Sequence, residues 1–186
     1  MKTKFIFTLL ILCTSLLGFS QDYYVHCGKI LDVQSGKESS NQTIVVSKTK
    51  IIKILDGFVT KTNPEDVEVD LKTKYILPGL IDLHVHVEGL LNSHSYVSKY
   101  IDNEADIAFE AAHYAEITLL AGFTTVRDLG GTGVNISLRN AINKGIVKGP
   151  RIFTAGKAIA SSGGHADPTN GSNRKLVEIP VLMKVS

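Results

Sequence analysis

From Asp22 to Leu77 the chain alternates short apolar runs with polar turns. "YYVHCGKILDV" reads as a strand bent at Gly28, and "SGKESSN" as a turn or loop. "QTIVVS" and "IIKIL" read as two more strands, with "KTK" between them as a tight hairpin. "VEVDL" and "KYIL" follow the loop "TKTNPED". The pattern predicts a small antiparallel β unit with too few apolar residues for a complete core of its own.

The pattern changes at Pro78. "GLIDLHVHV" reads as a strand, and the segment from Asn103 to Leu120 as a helix. Ile107, Ala108, Ala111, Ala112, Ala115 and Leu119 form its apolar stripe, with Glu110, His113 and Glu116 opposite. Acidic residues near the start suit the helix dipole, and Gly122 suits the end. "FTTVRDL" is the next strand and "GGTGVN" a loop. "ISLRNAINKG" is a short helix that Asn135 is expected to cap and Gly145 to end, and "PRIFTAG" is a third strand. Strands alternating with helices imply an α/β fold with parallel strands that helices cover.

The first of these strands carries an anomaly. Simple alternation puts Ile81, Leu83, Val85 and Val87 on one face, and Leu80, Asp82, His84, His86 and Glu88 on the other. A covered parallel strand should be apolar on both faces. A closed (β/α)₈ barrel resolves the conflict, because its strand ends converge on a functional mouth. Two histidines at i and i+2 there suit one divalent ion, zinc foremost, which accepts neutral imidazole nitrogen. On the bare motif, two hydrogen-bonded histidines without a metal are the competing reading.

Composition sets limits. The chain has 186 residues, an apolar fraction of 44% and a formal net charge of +2. That is a globular composition, and no run of Lys and Arg is long enough to track a phosphate backbone, so nucleic-acid binding has no support.

The N-terminus reads as an export signal. "MKTK" is basic, "FIFTLLILCTSLLGFS" is apolar, and Gly18 and Ser20 are small residues at cleavage-site spacing. Cleavage is expected after Ser20, which predicts a periplasmic or extracellular protein with no stable membrane insertion afterwards. The apolar run is short for a span of ~20 residues. Only Cys27 remains after cleavage, so no internal disulfide is possible, and Cys27 is expected to be a small apolar residue in a strand.

Three stretches carry a resemblance. "LPGLIDLHVH" resembles the signature of the amidohydrolase superfamily, metal-dependent hydrolases built on a (β/α)₈ barrel with a flanking β-sandwich. "LLAGFTTVRDLGG" and "GPRIFTAGKAIASSGGHADPTNG" are similar to its branch of imidazolonepropionase-like proteins and Xaa-Pro or Xaa-Arg dipeptidases. The resemblance runs from Tyr23 to Asn173.

It implies a fold: residues 21–77 as part of a small β-sandwich, and residues 78–177 as an incomplete barrel holding its first three strands. It also implies a site. His84 and His86 match the first-strand ligands of the more buried metal. Asp82 matches an acidic position given a supporting role, such as orienting a ligand. Arg127 and Asp128 would line the mouth and help hold a substrate carboxylate, or form an ion pair that fixes the loop. His165 is assigned a site role. His26, His94 and His113 are read as strand face, loop and solvated helix face.

The implied chemistry is hydrolysis of an amide or other C–N bond in a small molecule or dipeptide. It needs one or two divalent ions, zinc first, to activate water, and a carboxylate to move protons. The family's later ligands are a lysine on the fourth strand, histidines on the fifth and sixth, and an aspartate on the eighth. None is found here, and Lys184 follows "GGHADP" too soon to serve. A barrel needs ~200–250 residues, more than follow Pro78. The expectation is therefore an N-terminal part that is inactive alone, with no catalytic residue of its own. A non-catalytic exported fragment or binding module that keeps a partial metal site is the alternative. Oligomeric state is left open. The ending "EIPVLMKVS", Glu178 to Ser186, is expected to be out of frame.

Overall fold

The computed structural model describes residues 21–167, 169–171 and 173. The expected signal segment, the out-of-frame tail and Lys184 lie outside the described residues. The chain divides into two compact units, Met1–Pro78 and Gly79–Ser186.

The first unit holds β1 (Asp22–Asp32), β2 (Lys37–Ser47), β3 (Lys50–Asp56) and β4 (Val67–Ile76) in the order β3-β2-β1-β4. β1 and β2 pair antiparallel, as do β2 and β3, the latter around a turn at Lys48 and Thr49. Two expectations fail. "KESSN" is strand rather than loop, because Lys37 to Ser40 continue the ladder opposite Ser39's partner Ile30 and its neighbours. β4 is one strand, not two, and it runs parallel to β1 rather than antiparallel.

The bend at Gly28 has a steric cause. Cys27 pairs with Leu71, but Lys29 pairs with Tyr75, so β4 bulges against Gly28. A Cβ at Gly28 would collide with the backbone carbonyl of Lys72. Cys27 is fully buried, and burial pushes its thiol pKa up. Thr43 is equally buried; its hydroxyl donates to Gly57 O at 2.7 Å and accepts from Val59 N at 2.9 Å, tying the segment after β3 to β2. Ile51, Ile52 and Ile54 on β3 stay exposed. His26 is buried, within 3.1 Å of Val59 O and against the Phe58 ring.

The second unit holds β5 (Leu80–Val85), α1 (Ser95–Ile101), α2 (Glu104–Leu120), β6 (Phe123–Asp128), α3 (Val134–Asn143) and β7 (Arg151–Thr154). Its three strands are parallel, in the order β5-β6-β7. α1 is a short helix the apolar pattern did not predict. α2 starts after Asn103, whose N–H donates to the Asp106 carboxylate at 2.9 Å. Gly122 follows it with φ 98°, and its N–H bonds Leu119 O. Ala111, Ala115, Val87, Val126, Leu138 and Ile152 form the core between sheet and helices. Among the described residues no helix is long and apolar enough to cross a membrane.

Candidate active site

His84 sits near the C-terminal end of β5 and His86 just beyond it. Their ring centres lie 5.5 Å apart, edge to face. Two imidazoles sharing one tetrahedral ion at ~2.0–2.1 Å would have centres roughly 5 Å apart, a spacing close to that of this pair. His86 Nδ1 lies 2.7 Å from Gly130 O. A carbonyl only accepts, so Nδ1 carries the proton, and in the neutral ring Nε2 keeps its lone pair for a metal. This is the outer hydrogen bond that metal-binding histidines usually make.

The rings share a face by their i, i+2 spacing, but the register corrects the simple alternation for Asp82. Asp82 pairs with Val126 and Val85 with Asp128, so three steps along β5 match two along β6. The extra residue is a bulge, and it reverses the alternation. Asp82 therefore lies on the side of buried Val126, not on the histidine face. Its Oδ1 accepts the N–H of His84 at 2.9 Å. Val85 and Val87 pack on the core, while Ile81 and Leu83 are 62% and 60% exposed.

Asp128 is buried at the end of β6. It is 1% exposed. Its Oδ2 accepts from Val87 N at 3.1 Å, and its Oδ1 from Gly130 N at 2.9 Å and Asn135 Nδ2 at 3.1 Å. The loop is thus fixed by hydrogen bonds, and no Arg127–Asp128 ion pair occurs among the described residues. Arg127 faces the other way: it is exposed, and its Nε donates to Leu83 O at 2.7 Å. Arg127 and Asp128 both line a cavity of about 690 Å³, with Arg139, Arg151 and Phe153, which includes neither histidine of the pair.

Asn135 does not cap α3 as expected. It lies inside the first turn, fully buried, and its Nδ2 bridges Asp128 and Gly156 O, the latter at 2.9 Å. Two acceptors around one end of the amide fix that end as nitrogen. Its Oδ1 is buried and has no donor among the described residues. The helix start is held instead by Glu88, which accepts from Asn135 N at 2.7 Å and from Thr132 N. Gly130 has φ 141°, and a Cβ there would meet Ala158 at 2.6 Å, so glycine lets the carbonyl reach His86. Sequence reasoning missed Glu88, Gly130 and Asn135 as partners. The one available signal was the polar Glu88 directly after the histidine strand.

His165 is exposed in a turn of the loop after β7. Among the described residues no group of three or more His, Cys, Asp or Glu side chains could hold a metal, so neither His165 nor Asp82 joins the pair. Asp167 organises that loop, accepting from Gly163 N at 2.7 Å and Thr169 N at 2.9 Å; these bonds hold its carboxyl below the usual range. His94 and His113 are exposed.

Residues 75–181 match the profile of the amidohydrolase family. The chain belongs to that family. A Xaa-Pro dipeptidase solved with methionine in its active site is 42% identical, with a TM-score of 0.75 over 83% of this chain and 38% of that one. A prolidase complexed with N-methylphosphonate-L-proline is 32% identical, with a TM-score of 0.66 over 78% of this chain and 34% of that one. Ochratoxinase of Aspergillus niger is 28% identical over 135 residues, 71% of this chain and 28% of its own. The chain thus spans about a third of the length of these amidohydrolases. The parallel strands β5 to β7 and their helices are the first part of the α/β barrel fold of these relatives, and the sheets cover only part of it.

Proposed function

We propose that this amidohydrolase sequence is the N-terminal part of an exported, metal-dependent hydrolase acting on C–N bonds, with dipeptides as substrate. The observation that carries the reading is the imidazole pair, 5.5 Å apart, with His86 Nδ1 occupied by Gly130 O. His84 and His86 would hold the cation, with zinc the first candidate for a nitrogen donor set. When bound, such an ion supplies Lewis-acid chemistry, polarising a carbonyl and lowering the pKa of water. The residues of this chain orient that chemistry. Gly130 O keeps the His86 proton on Nδ1. Arg127, exposed on the strand next to the pair, offers a cation to a substrate carboxylate.

Support for a dipeptide substrate comes from the Xaa-Pro dipeptidase and the prolidase among the relatives. Metal analysis and a dipeptide panel on the full-length protein test the reading, with Xaa-Pro and Xaa-Arg substrates first and an imidazolone second. The expected result is a bound divalent metal and peptide hydrolysis, both lost in His84→Ala and His86→Ala. A full-length protein that takes up no metal and cleaves none of these substrates would overturn it. Export is read from residues 1–20, and N-terminal sequencing of secreted material should begin at Gln21.

A further inference from the structure

We propose that Asp128 is a positioning residue for His86, acting through the backbone at Gly130 and Val87. The inference rests on the metal reading above and names the group that presets one of its ligands. Both backbone segments that meet at the His86 ring are held by this one carboxylate. Oδ2 takes the N–H of Val87, the residue after His86, and Oδ1 takes the N–H of Gly130, whose carbonyl holds Nδ1. Asn135 Nδ2 adds a further bond to Oδ1 and ties it to Gly156. A buried carboxylate is costly unless such donors surround it. An apolar side chain would fill the same space beside Val126, but it would leave the Val87 and Gly130 N–H groups without acceptors, and the plane of the Gly130 carbonyl would keep only its far-side bond, Gly131 N–H to Gly156 O at 2.8 Å. The arrangement therefore does more than pack: it sets which His86 nitrogen carries the proton.

The test reads the full-length protein with ¹⁵N-labelled histidine, first without metal and then titrated with Zn²⁺ alone. Wild-type His86 should show the Nδ1–H form. In Asp128→Asn the amide cannot accept from all of the same donors. The Nε2–H form of His86 should gain population, the His84 signals should stay in place, and the Zn²⁺ dissociation constant should rise roughly 10–100-fold. Asn135→Ala removes only one of the bonds to Asp128 and should move the same readouts less far. A wild-type His86 found as the Nε2–H form overturns the proposal without any variant. So does a folded Asp128→Asn protein with the wild-type His86 spectrum and Zn²⁺ affinity within about twofold, below the usual effect of such outer partners. If the wild type binds no Zn²⁺, the proposed function fails, while the metal-free spectrum still decides the role of Asp128.

Discussion

Asn135 Nδ2 donates to Asp128 Oδ1 at 3.1 Å, and both side chains are buried. An amide in the first turn of α3 thus meets a carboxylate at the end of β6, directly behind the loop that holds His86. The contact joins a helix to a strand end by polar atoms where the surrounding core is apolar.

Asn135→Asp should be severely destabilising near neutral pH. It places a second carboxylate against Asp128, with no cation among the hydrogen-bond partners of either side chain among the described residues. Like charges at that distance raise the pKa of one of the pair. The raised value makes the loss greatest above it, so stability should partly recover as pH falls and that carboxyl protonates. Thermal unfolding across pH measures this. A flat, wild-type-like profile would contradict the burial of the pair.

His84→Ala and His86→Ala should each abolish stoichiometric binding of a divalent metal without unfolding the second unit. Both imidazoles lie outside the apolar core that Val87, Val126 and Ile152 help form. Metal content after dialysis, read beside a circular dichroism spectrum, separates loss of the ligand from loss of the fold.

Gly28→Ala should destabilise the first unit by about 1–3 kcal/mol, the usual cost of forcing atoms into filled space. The obstacle is the Lys72 carbonyl, which is backbone and cannot swing away as a side chain would. Urea unfolding of the wild type and the variant checks it.

Acid should loosen the start of α2. The bonds from Asn103 hold the Asp106 carboxyl below its ordinary value. Its contribution is therefore fully present above the unfolded pKa and is lost as pH falls through the lower folded one. The Asn103 amide signal, followed by NMR through the acid range, should shift at that lowered pKa. The shift should be absent in Asp106→Asn.

The 186-residue chain expressed by itself should self-associate and show no turnover with zinc and dipeptides. Among the described residues β5 and β7 each leave one edge unpaired, and Ile81, Leu83 and Phe153 are 62%, 60% and 59% exposed. Open edges beside apolar surface promote association between chains. Light scattering and a peptidase assay check both halves, and a monodisperse, active fragment would refute the prediction.

The sequence by itself determined the elements whose signals are local. The stripe from Ile107 to Leu119 marked α2, Gly122 marked its end, and the His-x-His strand marked the imidazole pair. These depend on spacing along a few neighbouring residues, which a linear pattern records. Only the tertiary structure decided which face Asp82 takes, why Asp128 is buried, and that Asn135 bonds sideways instead of capping its helix. Those outcomes turn on a bulge set by the partner strand, and on contacts such as Val87 with Asp128 and Asn135 with Glu88, 41 and 47 residues apart. A buried polar group takes whichever donors folding brings to it, and its own stretch of chain does not encode them.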